Sequence, residues 1–152
     1  GYAQYEISAY ARPGRQCAHN LNYWRFGDYL GIGAGAHGKI SSGAEQSILR
    51  RWKVKHPSDY LLKAGTPQMI GGDELIDDAR RPFDYMLNAL RLAEGFSLRA
   101  FESRTGLPRS AIDIPLARAL ENDWLTLEGE DVMPTERGHR FNNDVIGLFL
   151  GA

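Results

Sequence analysis

The sequence predicts two parts: a mixed α/β first half, then an α+β, mostly helical second half with the element order of a winged helix. Three observations carry this. Residues 4–10 and 48–54 alternate or cluster apolar side chains as strands do. From residue 82 onward, apolar residues recur at helical spacing. Between them, Ala64-Gly65-Thr66-Pro67-Gln68 and Gly71-Gly72-Asp73-Glu74 carry the glycine and proline of a loop. The expected division is therefore residues 1–65, a linker at 66–80, and a second domain at 81–152.

Gln4 to Tyr10 is expected to form one strand. Arg12-Pro13-Gly14 then turns the chain. Asn22 to Phe26 predicts one or two helical turns. Tyr29 to Ala36, short, apolar and glycine-rich, predicts a buried strand running into a tight loop. Ile48 to Val54 predicts a strand, and Pro57-Ser58-Asp59 a short helix ending at Lys63. In the second half, Pro82 opens a helix carrying Phe83, Met86, Leu87, Leu90 and Ala93, and Gly95 stops it. Ser97 caps the next helix, with Phe101 inward. Gly106-Leu107-Pro108 turns. A third helix starts at Ser110, or near Asp113 with Pro115 in its first turn. Trp124–Leu127 and Val132–Pro134 flank Gly129 as a hairpin. Thr135 caps a last helix with Phe141, Val145, Leu148 and Phe149 on one side.

Composition excludes several classes. The 152 residues are 43% hydrophobic and carry a net charge of −1, so no global field draws the chain to nucleic acid or anionic lipid. The first 80 residues hold ten basic and eight acidic side chains, the remainder eight and eleven. No run of about 20 apolar residues predicts a membrane span. The single cysteine, Cys17, excludes an internal disulfide framework and any all-cysteine metal site. It fits a reducing compartment, and the expected location is the cytoplasm. The chain opens directly on a strand pattern without a methionine or signal segment, which predicts a piece of a longer polypeptide.

Two strings stand out. One is Tyr5-Glu6-Ile7-Ser8-Ala9-Tyr10-Ala11-Arg12-Pro13-Gly14, followed by His19-Asn20-Leu21-Asn22-Tyr23-Trp24. The other is Asp28-Tyr29-Leu30-Gly31-Ile32-Gly33-Ala34-Gly35-Ala36-His37-Gly38. Together they resemble the late barrel strands of the radical-SAM haem chaperones (HemW-type) within the oxygen-independent coproporphyrinogen III oxidase-like family. The remainder resembles that family's C-terminal accessory domain. The resemblance implies a remnant of the last strands of a partial TIM-type barrel followed by the winged-helix-like domain. It implies that the intact protein binds a [4Fe–4S] cluster, S-adenosylmethionine and haem, and passes haem to acceptor proteins. The family's cluster is held by three cysteines, and one cannot replace them. This piece is therefore expected to be inactive alone, with no catalytic residue and no cofactor of its own. Expected partners are the missing N-terminal barrel half, haem or porphyrin, acceptor proteins, and a second copy through exposed barrel edges. Nucleic acid is not expected. The alternatives are a piece of a true coproporphyrinogen III oxidase, which decarboxylates propionates by radical chemistry, and, ranked low, a winged-helix DNA-binding module.

Each candidate site has a bland counterpart. The resemblance associates His19, Asn20, Tyr23 and Trp24 with haem, His19 being the candidate iron ligand and the two rings flanking the macrocycle. Residue types alone favour His19 and Asn20 bonding a turn while Trp24 packs in the core. The resemblance places Gly33, Ala34, Gly35, Ala36 and His37 beside S-adenosylmethionine, where absent Cβ atoms let backbone approach a ligand; the counterpart is tight strand–helix packing. The spacing is not a dinucleotide-binding fingerprint. Glu6 is expected to face solvent or bond a turn, since burial would demand a partner. Arg50-Arg51-Trp52-Lys53-Val54-Lys55-His56 could meet propionates, but a charged edge strand is favoured. Arg109 and Arg118 would have to carry any DNA recognition helix, on a domain with excess acid. His56, His139 and Cys17 are expected to be surface bystanders.

Overall fold

The computed structural model describes residues 1–151. In chain order its elements are β1 (Ala3–Glu6), β2 (Ala9–Ala11), α1 (Ala18–Trp24), β3 (His37–Ser42), β4 (Ser47–Lys53), α2 (Pro57–Lys63), β5 (Ile70–Leu75) and α3 (Arg81–Ala89). Then follow β6 (Phe96–Ser97), α4 (Leu98–Thr105), α5 (Asp113–Glu121), β7 (Leu125–Glu128), β8 (Asp131–Pro134), α6 (Glu136–Arg140) and α7 (Asn142–Gly147). Single 3₁₀ turns occupy Pro67–Met69 and Arg109–Ile112. The fold is a mixed α/β one of small antiparallel sheets and helices. Among the described residues every strand pairing is antiparallel, so no parallel barrel ladder is present.

The chain forms two compact units, one of residues 1–26 with residues 78 onward, the other of residues 27–77. These do not coincide with a division at 66–80. Residues 1–26 fold with the second half because the first hairpin docks on the segment after α3. The Ile7 amide donates to the Arg91 carbonyl (3.0 Å) and the Ala93 amide to that of Tyr5 (3.0 Å).

In the first unit, Gln4–Tyr10 is two strands, β1 and β2, rather than one. The chain reverses at Ile7-Ser8, where the Glu6 carboxylate accepts from the Ser8 amide and hydroxyl, both at 2.9 Å. The core is an aromatic cluster around Tyr85, with ring centroids 5.5 Å from Phe26, 5.4 Å from Phe96 and 5.3 Å from Phe101. All three contacts are edge-on, the arrangement the ring quadrupoles favour. Ser97 caps α4 by accepting from the Ala100 amide, and Gly106 closes it at φ +73°. Pro115 sits in the first turn of α5, which starts at Asp113. Thr135 accepts from the Gly138 amide and so opens α6. The expected last helix is broken at Phe141 into α6 and α7, and Phe141 is exposed against the Trp124 ring (6.5 Å) rather than buried. Likewise α3 ends at Ala89, before Gly95, and the buried Leu90 and Leu92 lie in the turns that follow.

The second unit is a sheet of order β3-β4-β5 with α2 beside the 3₁₀ turn. The predicted strand at 29–36 is absent. Gly33 and Gly35 take φ of +110° and +68°, and Leu30 and Ile32 are exposed rather than buried. Left-handed glycines cannot continue an extended run, so the string is a loop leading into β3. The stretch expected to be a linker is mostly built structure, the 3₁₀ turn and β5. Gly71 and Gly72 are not breakers there. A Cβ at Gly72 would lie 2.3 Å from the Trp52 ring, so the strand needs glycine to let the indole lie across it.

Candidate functional site at the first helix

The candidate haem motif lies at the end of one short helix. Its residues form two i,i+4 pairs, His19 with Tyr23 and Asn20 with Trp24, in adjacent stripes about 100° apart. In the first pair only His19 faces outward, and Tyr23 is half-buried. His19 is exposed, and its ring meets Tyr23 edge-on at 4.8 Å. The second pair is half-buried. The Trp24 indole N–H is buried with no acceptor. Among the described residues the His19 ring makes no turn hydrogen bond, and Trp24, the residue expected in the core, is half-buried.

Trp24 is held by residues far away in sequence. The Arg91 guanidinium lies over its ring at 4.3 Å, a cation–π contact. Arg91 Nη2 in turn donates to Glu6 Oε2 at 3.1 Å and to the Ser8 hydroxyl at 3.4 Å. Glu6 bonds its turn through Ser8, as expected, but it is buried rather than solvent-facing, and a second partner, Arg91, comes from within the chain. Burial pushes its carboxyl up. The Ser8 hydroxyl and amide and the Arg91 guanidinium outweigh that, and its pKa lies below the ordinary value. Sequence reasoning missed Arg91 because nothing local marks an arginine whose partner lies 85 positions away. Two of the cations near Trp24 are engaged, Arg91 with Glu6 and Arg25 with Glu94 at 2.8 Å.

The glycine string belongs to the other unit. Its amides serve the loop itself: Gly33 N–H donates to the Tyr60 hydroxyl (3.3 Å), Gly35 N–H to the Val54 carbonyl (2.8 Å) and Ala36 N–H to the Gly33 carbonyl (3.2 Å). Ala34 is exposed, and His37 stacks on Trp52 at 6.1 Å. A Cβ at Gly31 would lie 2.3 Å from the His37 carbonyl oxygen, so Gly31 serves backbone crossing. The basic run is not an edge strand, because β4 is the middle strand of its sheet. Arg51 there makes a two-pronged pair with Asp73, both contacts at 2.7 Å. Cys17 is exposed. Among the described residues no three His, Cys, Asp or Glu side chains are grouped to hold a metal ion, so an iron–sulfur cluster does not fit this chain's own residues. None of its described helices is long and apolar enough to cross a membrane.

Against known proteins, the chain is 41% identical over 150 residues to the haem chaperone HemW of Haemophilus influenzae, and equally so to that of Escherichia coli. The match covers 99% of this chain. The chain is homologous to the C-terminal part of the HemW haem chaperones. It spans about 38% of the length of those two relatives. The HemW of Mycobacterium tuberculosis is 36% identical over 154 residues. Residues 76–141 match the family model of the HemN C-terminal domain. In three dimensions, 99% of the chain superposes on 37% of the radical-SAM coproporphyrinogen III oxidase HemN of Escherichia coli, with a TM-score of 0.64. Identity there is 13%, so that likeness is one of fold.

Proposed function

We propose that this chain is the haem-receiving C-terminal part of a HemW-like protein, with His19 as the iron ligand and Tyr23 and Trp24 beside the macrocycle. One observation carries the reading. The helix that bears the motif presents an exposed imidazole without a hydrogen-bond partner, next to an aromatic pair of which Trp24 is fixed from behind by Arg91. Imidazole ligates haem iron, and rigid rings offer a flat ligand large contact area at small entropic cost. The relatives' name, haem chaperone, supports the same reading. The chain's own residues bind and orient the cargo. They supply no redox step.

In a full-length relative we assign the cluster and S-adenosylmethionine to polypeptide upstream of this stretch. The exposed Leu30, Ile32, Leu61 and Leu62 of the second unit are apolar surface for that polypeptide to cover, and Gly33 to His37 would approach the cofactor through their backbone. Acceptor proteins that take the haem complete the reading.

The test is a hemin titration followed in the Soret band. Wild-type chain should develop the band, and His19→Ala should weaken binding by at least about tenfold, the worth of one axial ligand. An unchanged titration refutes His19 as ligand. The oxidase alternative predicts instead that the full-length protein turns over coproporphyrinogen.

A further inference from the structure

Behind the motif helix, within the first unit, lies a cavity of about 420 Å³. Trp24, Tyr85, Phe96 and Met133 contribute its apolar walls. This is within the size range of small-molecule sites. Two of the walls carry polar atoms that no protein group satisfies. The Trp24 N–H is buried without an acceptor. Tyr85 is 1% exposed, and among the described residues no group hydrogen-bonds its hydroxyl. Burial holds this phenol well above its ordinary pKa, against the opposing pull of the Arg104 charge, so it stays a neutral donor beside that cation.

The Trp24 N–H, buried and unmet, costs free energy unless something fills its site, and the Tyr85 hydroxyl is unpartnered at the same cavity. An indole N–H donates only, and a phenol beside a cation is best used as a donor. Both call for an acceptor, and Arg104 calls for a negative one. Of the charged groups lining the cavity, Arg25 is already answered by Glu94. Arg104 has no carboxylate partner among the described residues, and Asp131 is solvent-exposed on β8. The ligand class that satisfies these walls is a flat apolar body ending in a carboxylate.

We propose that this cavity is a subsite for the propionate-bearing edge of the porphyrin, with Tyr85 and Trp24 donating to a propionate and Arg104 pairing with it. The proposal rests on the haem reading above, whose iron ligand lies on the neighbouring stripe of the same helix. It assigns Tyr85 and Arg104 a binding role that their sequence context does not announce.

The experiment measures binding of metal-free protoporphyrin IX, its dimethyl ester and hemin to the 152-residue chain, by Soret absorbance. Tyr85→Phe removes one oxygen from an otherwise preserved ring. Arg104→Gln changes an exposed side chain. Both variants should fold, as far-UV circular dichroism will show. Each should weaken protoporphyrin IX by about fivefold or more, the loss of one hydrogen bond to a charged group, and leave the ester within twofold. Arg109→Gln, also exposed, should change nothing. Equal affinity of both variants for the free acid, or equal losses for acid and ester, overturns the subsite. So does failure of the chain to bind any porphyrin. The two readings separate in the metal-free ligand, which His19→Ala should not affect. If His19→Ala also leaves hemin unchanged while Tyr85→Phe and Arg104→Gln act as described, the iron ligand is misassigned and the subsite stands.

Discussion

Glu6, Arg91 and Trp24 set the chemistry at the scale of single residues. Glu6 gives up water for three hydrogen bonds, two from Ser8 and one from Arg91. Arg91 then spends its face on Trp24. Removing the carboxylate charge leaves Arg91 half-buried with a weaker partner. Glu6→Gln should cost about 2 kcal/mol, the worth of a hydrogen bond to a charged group, read as a fall in urea midpoint. The pH sign follows from the lowered carboxyl pKa. The folded value lies below the ordinary 4.5, so the pair's contribution is complete above that pH and is lost as pH falls through the folded pKa. Wild-type stability should therefore drop on acidification below about pH 4.5 more steeply than that of Glu6→Gln, and parallel curves would contradict the assignment. The turn bond to Ser8 is legible in the sequence; the burial of Glu6 and its pairing with Arg91 are not. A carboxylate on an alternating strand announces its side of the sheet, whereas its partner is set by the docking of the hairpin 85 residues away.

Elements divide by whether their causes are local. Caps and prolines act within four residues, and they were read correctly: Pro57 and Pro82 open helices, Ser97 and Thr135 accept from the amides three residues on, and Gly129 turns the hairpin at φ +64°. Gly71 and Gly72 suggest a loop in the sequence because their cause, the Trp52 ring, sits on another strand. The glycine string failed as a strand because its positive φ values are a loop property that composition does not separate from tight packing. The helical turns expected at 22–26 lie instead at Ala18–Trp24, and the exposure of His19 beside the half-buried Asn20, Tyr23 and Trp24 is not legible in composition. These causes differ in magnitude, and a mutational comparison should show it. Thr135→Ala removes a cap and should cost about 1 kcal/mol. Gly95→Ala places a Cβ 1.9 Å from the Val132 carbonyl oxygen at φ +66°, where neither backbone can yield without opening the β6–β8 pairing. It should cost about 3 kcal/mol or more. Denaturation that ranks the two in the opposite order would contradict this account of the sheet.

The molecule as a whole carries two distinct compact units and no field that selects nucleic acid. Its net charge is −1, and the helices after residue 81 lie in the acidic half. A winged-helix element order does not by itself make a DNA reader. Duplex DNA should bind no better than millimolar at about 0.15 M salt, and a tight complex with a steep salt slope would revive that function. What the whole chain presents instead is an exposed imidazole on an aromatic helix, in a sequence 41% identical to haem chaperones over nearly its full length. The most direct measurement of that account is hemin binding by the wild-type chain and His19→Ala side by side. The account predicts a Soret band that saturates with the wild type and is weakened at least about tenfold in the variant. Superimposable titration curves for the two proteins would contradict it.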